Sequence, residues 1–125
     1  MTILVADDKA TGRELVRTVL ENSGHTVIEA CDGLEVLRLA RERMPDLIIL
    51  DIHMPGRDGF SVIKELRSDP IFAATPVMAL TASAMHGDRE RAEASGFTGY
   101  ITKPIRLEAL RSQVERMLSK INKVG

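Results

Sequence analysis

A chain of 125 residues is one ordinary domain, large enough for a single core and too small for two. Its composition, 44% hydrophobic and 28% charged, is that of a soluble globular protein. A net charge of -1 gives no electrostatic reason to expect nucleic acid or an anionic membrane as partner.

No apolar run approaches the ~20 residues needed to cross a bilayer, and Asp7 and Asp8 break the early apolar stretch too soon for a signal sequence. The lone Cys31 excludes an internal disulfide framework and a multi-cysteine metal site. A cytoplasmic location is therefore expected.

Taken in chain order, short runs rich in Ile, Val and Leu predict strands at Ile3 to Ala6, Thr26 to Ala30, Leu47 to Asp51, Val77 to Thr81 and Gly99 to Thr102. Helical spacing fills the gaps. Leu15, Val19 and Leu20 mark the first helix, then Leu34, Leu37 and Ala40, then Phe60, Ile63 and Leu66. The segment Ala84 to Ser95 reads as a helix with a thin buried face, because its middle is polar or glycine. Leu107, Leu110, Val114, Met117 and Ile121 mark the last. Asn22-Ser23-Gly24, Met44-Pro45-Asp46 and Ser68-Asp69-Pro70 supply stops. Five strands alternating with five helices predict a doubly wound α/β fold, its parallel sheet covered on both faces. The domain is expected to span 1–125, with no room for an effector domain.

In such a sheet the carboxyl ends of all strands share one edge, where ligands bind. Asp7 and Asp8 follow the first strand, Asp51 ends the third, Thr81 ends the fourth, and Lys103 follows the fifth. Two carboxylates ~5 Å apart at an effective dielectric of ~20 repel by roughly 3 kcal/mol. A hard divalent cation removes most of that cost, and Mg²⁺ suits a site that also takes phosphate. Lys103 adds a point charge able to reach a phosphoryl oxygen. Positioning, a cation and aimed donors are most of what phosphoryl transfer requires, and Asp51 is placed to be the nucleophile.

The chain resembles the receiver domains of two-component signalling. The resemblance rests on Asp7-Asp8, on Asp51 within Leu50-Asp51-Ile52-His53-Met54-Pro55-Gly56, on Asp58-Gly59, Thr81-Ala82 and Tyr100, and on Lys103-Pro104. Thr81 to Ile105 looks most like single-domain regulators and hybrid-kinase receivers.

The resemblance implies a flavodoxin-like (βα)5 sheet of strand order 2-1-3-4-5, with Asp51 as phosphoacceptor. It implies a Mg²⁺ cofactor held by Asp8 and Asp51, by Asp7 through water, and by the backbone carbonyl of His53. Thr81 and Lys103 would contact phosphoryl oxygens, Tyr100 would switch with Thr81, and Ala82 would leave the acceptor open to a donor. A cis Lys103-Pro104 bond would aim the lysine. Implied partners are a histidine kinase or histidine phosphotransfer protein and a downstream protein target, met as a monomer or weak dimer. The chain would not be an enzyme beyond catalysing its own phosphorylation and dephosphorylation.

Competing readings are weaker. A dehalogenase-type phosphatase needs an acid two residues after the nucleophile, where His53 stands. A flavin carrier needs a Ser/Thr/Gly-rich loop in place of Asp7-Asp8. A receiver acting without phosphorylation would not need Asp8, Asp51, Thr81 and Lys103 together. Asp7 alone has the alternative of a helix N-cap. His25, His53 and His86 lack metal-ligand spacing. Cys31 reads as a small apolar residue at the end of the second strand.

Overall fold

The computed structural model describes residues 1–54, 57–82 and 88–122. The elements run β1 (Thr2–Ala6), α1 (Ala10–Asn22), β2 (Thr26–Ala30), α2 (Gly33–Arg43), β3 (Leu47–Asp51), α3 (Gly59–Ser68), a 3₁₀ turn (Pro70–Phe72), β4 (Val77–Thr81), α4 (Asp88–Ser95), β5 (Gly99–Thr102) and α5 (Leu107–Asn122). The strands form one sheet of order β2-β1-β3-β4-β5, and every pairing is parallel. This is the doubly wound architecture expected. Of the segment expected to be helical from Ala84, Asp88–Ser95 is helix, and 84–87 lie outside the described residues.

Successive strand side chains point to opposite faces, and both faces are covered. Leu4, Ala6, Ile28, Ala30, Ile48, Leu50, Val77 and Ala79 pack with Val36, Leu37, Ala40, Val62, Ile63, Leu66, Ala92 and Phe97 from α2, α3 and the α4 side. Ile3, Val5, Leu47, Ile49, Met78, Leu80 and Ile101 pack with Val16, Val19 and Leu20 of α1 and with Leu110, Val114, Met117 and Leu118 of α5. Every residue of β3 and β4 is buried, which is why those strands read as unbroken apolar runs.

Three residues chosen as helix markers are exposed instead: Leu15 at 43%, Leu34 at 66% and Leu107 at 42%. In α1 the buried set is Val16, Val19 and Leu20, a face that leaves Leu15 one step of about 100° off the stripe. Leu34 and Leu107 lie in the first turns of α2 and α5, ahead of the buried turns that hold Val36, Leu37 and Ala40, and Leu110 and Val114. Ile121 lies within α5, but its side chain falls outside the described residues.

Local chemistry ends the helices as the sequence suggests. Gly24, at φ +92°, follows α1, and Met44 ends α2 in the left-handed region at φ 46°. Asp32 caps α2 by accepting the Glu35 N–H at 2.8 Å, while the Glu35 carboxylate accepts the Cys31 N–H at 3.1 Å. Asp58 caps α3 through the Ser61 N–H. Cys31 is exposed just beyond β2 rather than packed as an apolar residue, since its backbone is drawn into this cap.

Helix α4 buries only Ala92 among its described side chains, and its neighbours hold it by other means. Arg67 at the end of α3 donates to the Gly96 carbonyl from Nε (3.0 Å) and Nη2 (2.8 Å), and through Nη1 to Phe72 and Thr75 at 2.7 Å each. Arg91 stacks over the Phe60 ring, its guanidinium carbon 3.9 Å from the centroid, and Phe60 meets Phe97 edge to face.

The glycine at the start of α3 matters for the sheet edge. An ideal Cβ at Gly59 would lie 2.7 Å from the Ile52 Cα and 3.0 Å from the Asp51 carbonyl, so the helix starts directly against the end of β3. Replacing Gly59 with Ala should therefore lower stability by about 2 kcal/mol. Denaturant unfolding checks this, and a cost near zero would show that α3 can withdraw from the strand freely.

Candidate functional site

The adjacent ends of β1 and β3 bring the predicted acidic residues together. Asp7 lies just after β1 and is 1% exposed, Asp51 closes β3 at 3%, and Thr81 closes β4 at 1%. These are the buried polar residues of a core otherwise made of apolar side chains. Asp8 is exposed at the mouth. One carboxylate oxygen from each of Asp7, Asp8 and Asp51 lies within 4.8 Å of the others, a hard-oxygen donor set of the kind that suits a divalent cation. It is the one such acidic, histidine or cysteine group among the described residues.

Lys103 reaches into this cluster from beyond β5. Its Nζ donates to Asp51 Oδ2 at 2.8 Å and to Asp7 Oδ2 at 3.0 Å. Backbone groups secure the remaining oxygens. The His53 N–H donates to Asp51 Oδ1 at 2.9 Å, and the Lys9 N–H donates to Asp7 Oδ1 at 3.0 Å. The capping position of α1 is Lys9, with no side-chain cap, so Asp7 serves the cluster rather than the helix end. The Lys103 N–H donates to the Thr81 carbonyl at 2.7 Å, tying the lysine's backbone to the end of β4. The Lys103-Pro104 peptide is cis.

The other predicted residues take varied places. The His53 side chain is exposed, and Ala82 and Pro104 are exposed near the strand ends. Tyr100 is half-buried on β5 against the α3/α4 side of the core, and its carbonyl accepts a bond from Gln113. Pro55, Gly56, Ser83 and His86 lie outside the described residues. His25 sits away from the cluster, before β2 and 3.7 Å from Glu115 of α5. Sequence reasoning did not single out Arg13, whose Nη1 donates to the Asp7 carbonyl at 2.8 Å while its Nε pairs with Glu29 of β2. Its signal was an arginine one turn past the acidic pair, too common a pattern to stand out.

The electrostatics are uneven. Burial pushes the Asp51 carboxyl up, against the pull of Lys103 and the His53 N–H, and the Asp7 charge adds to the rise. Burial acts on Asp7 in the same sense, but the Lys9 N–H and Lys103 outweigh it and hold that carboxyl below the usual range. Burial draws Lys103 down, yet Asp51 and Asp7 together raise it above an ordinary lysine. The ammonium thus stays charged while two nearly inaccessible carboxylates share it.

With geometry and charge in place, the class of protein follows: the chain belongs to the response regulator receiver domain family, whose model matches residues 3–115. Among its relatives is the polar-differentiation response regulator DivK of Brucella anthropi, 42% identical over 104 residues covering 83% of this chain and 85% of DivK. The chemotaxis response regulator CheY4 of Vibrio cholerae superposes with a TM-score of 0.88 at 32% identity, covering 93% of this chain and 97% of that one. The receiver domain of the sensor histidine kinase PA1611 from Pseudomonas aeruginosa, solved with a magnesium ion coordinated in its active-site cleft, superposes with a TM-score of 0.87 at 30% identity, covering 94% and 97%.

Removing the shared cation should be costly. Lys103→Met leaves Asp7 and Asp51 buried without a counter-charge, and should lower the stability of the metal-free protein by about 2–3 kcal/mol near neutral pH. The loss should shrink in acid as the carboxylates protonate. Urea unfolding in EDTA at two pH values measures it, and an unchanged midpoint would mean that water already screens the pair.

Proposed function

We propose that this receiver domain is a phosphorylation-driven switch that accepts a phosphoryl group on Asp51 in the presence of Mg²⁺. The observation that carries this reading is Asp51 itself, buried at the end of β3 and ion-paired to Lys103 inside a cluster of three carboxylates. The donor is a histidine kinase or histidine phosphotransfer protein.

An Asp51 carboxylate oxygen attacks the phosphorus of a phosphohistidine, a P–O bond forms as the P–N bond breaks, and the departing imidazole takes up a proton. Lys103 moves its hydrogen bonding from carboxylate to phosphoryl oxygen, and the Thr81 hydroxyl donates to another. Asp8 and Asp51 would hold Mg²⁺ with the His53 carbonyl, and Asp7 through water. Held there, Mg²⁺ would supply positive charge against that of the carboxylates and of the incoming phosphoryl group. The chain turns over no separate substrate, so it works as a switch in the cytoplasm rather than as an enzyme.

Output is assigned to the surface of α4, β5 and α5. There a cleft of about 130 Å³ is lined by residues that include Arg89, Glu93, Tyr100, Gln113 and Arg116. Phosphorylation draws Thr81 toward Asp51, and Tyr100 follows. The phosphoryl group can shift this equilibrium only by the contacts it gains in the active form. The downstream protein then reads the reshaped surface.

Incubation with acetyl phosphate and Mg²⁺ should add one base-labile phosphoryl group, seen by intact mass, and Asp51→Asn should abolish it. Full labelling of that variant would overturn the assignment. Asp8→Asn should weaken Mg²⁺ at least tenfold by calorimetry, whereas His53→Ala, which keeps the backbone carbonyl, should change it less than twofold; equal losses would contradict the ligand set.

Two further expectations concern coupling and lifetime. Thr81→Ala should still accept phosphate, but amide shifts along α4 and β5 should no longer respond as in wild type; equal responses would exclude Thr81 as the link. The acyl phosphate should persist for minutes, because His53, two residues past the acceptor, supplies neither a carboxylate nor a carboxamide to orient an attacking water. Decay followed in wild type and His53→Asn tests this, with faster loss expected in the variant.

A further inference from the structure

Gly12 lies in the first turn of α1, directly behind the Asp7 carboxylate. An ideal Cβ there would stand 2.5 Å from Asp7 Oδ2, 3.2 Å from its Cγ and 3.7 Å from Oδ1, so its three nearest neighbours are all atoms of one carboxyl group. Contact at 2.5 Å is too close to stand, and the carboxylate is the part that must yield. It has little freedom to do so. Asp7 is 1% exposed, with Oδ1 held by the Lys9 N–H and Oδ2 by Lys103, and its backbone carbonyl is fixed by Arg13. The missing side chain at position 12 is the space that Oδ2 occupies while bonded to Lys103.

We propose that Gly12 is a positioning residue: it keeps open the niche in which Asp7 is latched to Lys103 in the metal-free protein. By doing so it sets how strongly that latch competes with a divalent cation for Asp7. This rests on the Mg²⁺ reading above only for its second half. Both Asp7 oxygens are committed within the protein, to Lys9 and to Lys103. A cation brought beside Asp7 meets the like charge of the Lys103 ammonium and competes with it for that carboxylate, so its binding loosens the latch. Filling the niche removes that arrangement. The metal-free form loses stability, and by linkage the cation then binds more tightly, because the change falls on one of the two states only.

Glycine in a helix is normally less favourable than alanine, so an ordinary position would gain from Gly12→Ala. The test is a cycle of Gly12→Ala, Asp7→Ala and the double variant, with thermal unfolding in EDTA and Mg²⁺ titration by calorimetry. Gly12→Ala should lower the midpoint with Asp7 present and raise it in the Asp7→Ala background, where the niche is empty. It should also tighten Mg²⁺ at least threefold and recover its lost midpoint when Mg²⁺ saturates. A midpoint that rises in both backgrounds, or falls in both (failure to fold in both included), overturns the latch. Unchanged or weaker Mg²⁺ binding in Gly12→Ala overturns the competition. If the wild-type protein binds no Mg²⁺, the metal assignment of the preceding section fails, while the reversal of sign still decides the latch.

Discussion

Two carboxylates with almost no access to water share a single ammonium at the end of this sheet. Asp51 and Asp7 each give one oxygen to Lys103 Nζ, and that arrangement governs much of the surrounding structure. Lys103 must be held from β5 across to β1 and β3, which the Lys103 N–H to Thr81 carbonyl bond helps to do. The spare carboxylate oxygens are met by backbone amides of Lys9 and His53, donors that carry no net charge of their own. Burial works against ionised Asp51, so that one charge is kept at the expense of fold stability, whereas the lowered Asp7 and raised Lys103 both favour their charged forms. Such a cost is common where residues are arranged for chemistry rather than for packing.

The core sustains this strain by being covered on both sides. Each strand feeds one apolar cluster with its odd residues and the other with its even ones, and the central strands β3 and β4 are fully buried. Asp51 and Thr81 are therefore the last residues of two strands that are buried along their whole length. Against that rigid frame α4 is lightly attached, with Ala92 its only buried side chain among those described. Its far end is instead fastened by Arg67, a partly buried guanidinium whose acceptors are backbone carbonyls and the Thr98 hydroxyl. Desolvation lowers the Arg67 pKa, as expected for a partly buried cation whose acceptors are uncharged.

The strands were legible because a doubly covered parallel sheet leaves long apolar runs, and their bounds agree with the apolar windows nearly residue for residue. The site was legible for a related reason: a charged residue abutting such a run stands out, and topology then gathers the strand ends. Helical faces were harder to read. Leu15, Leu34 and Leu107 are apolar yet exposed, and nothing in local spacing separates them from Val16, Val36 and Leu110, which the sheet covers. Arg13, Gly12 and Arg67 escaped notice because their roles lie in hydrogen bonds to backbone and in an absent side chain. Neither leaves a pattern along the chain.

The bond from the His53 amide to Asp51 Oδ1 has an evolutionary corollary. A main-chain donor is present whatever side chain the position carries, and the ring of His53 projects into solvent. Side chains there can be exchanged to alter what approaches the acceptor without disturbing how the acceptor is held. Nineteen of the twenty residue types retain that amide, and proline alone lacks it. Position 53 is thus open to drift in size and charge, and closed to a single imino acid.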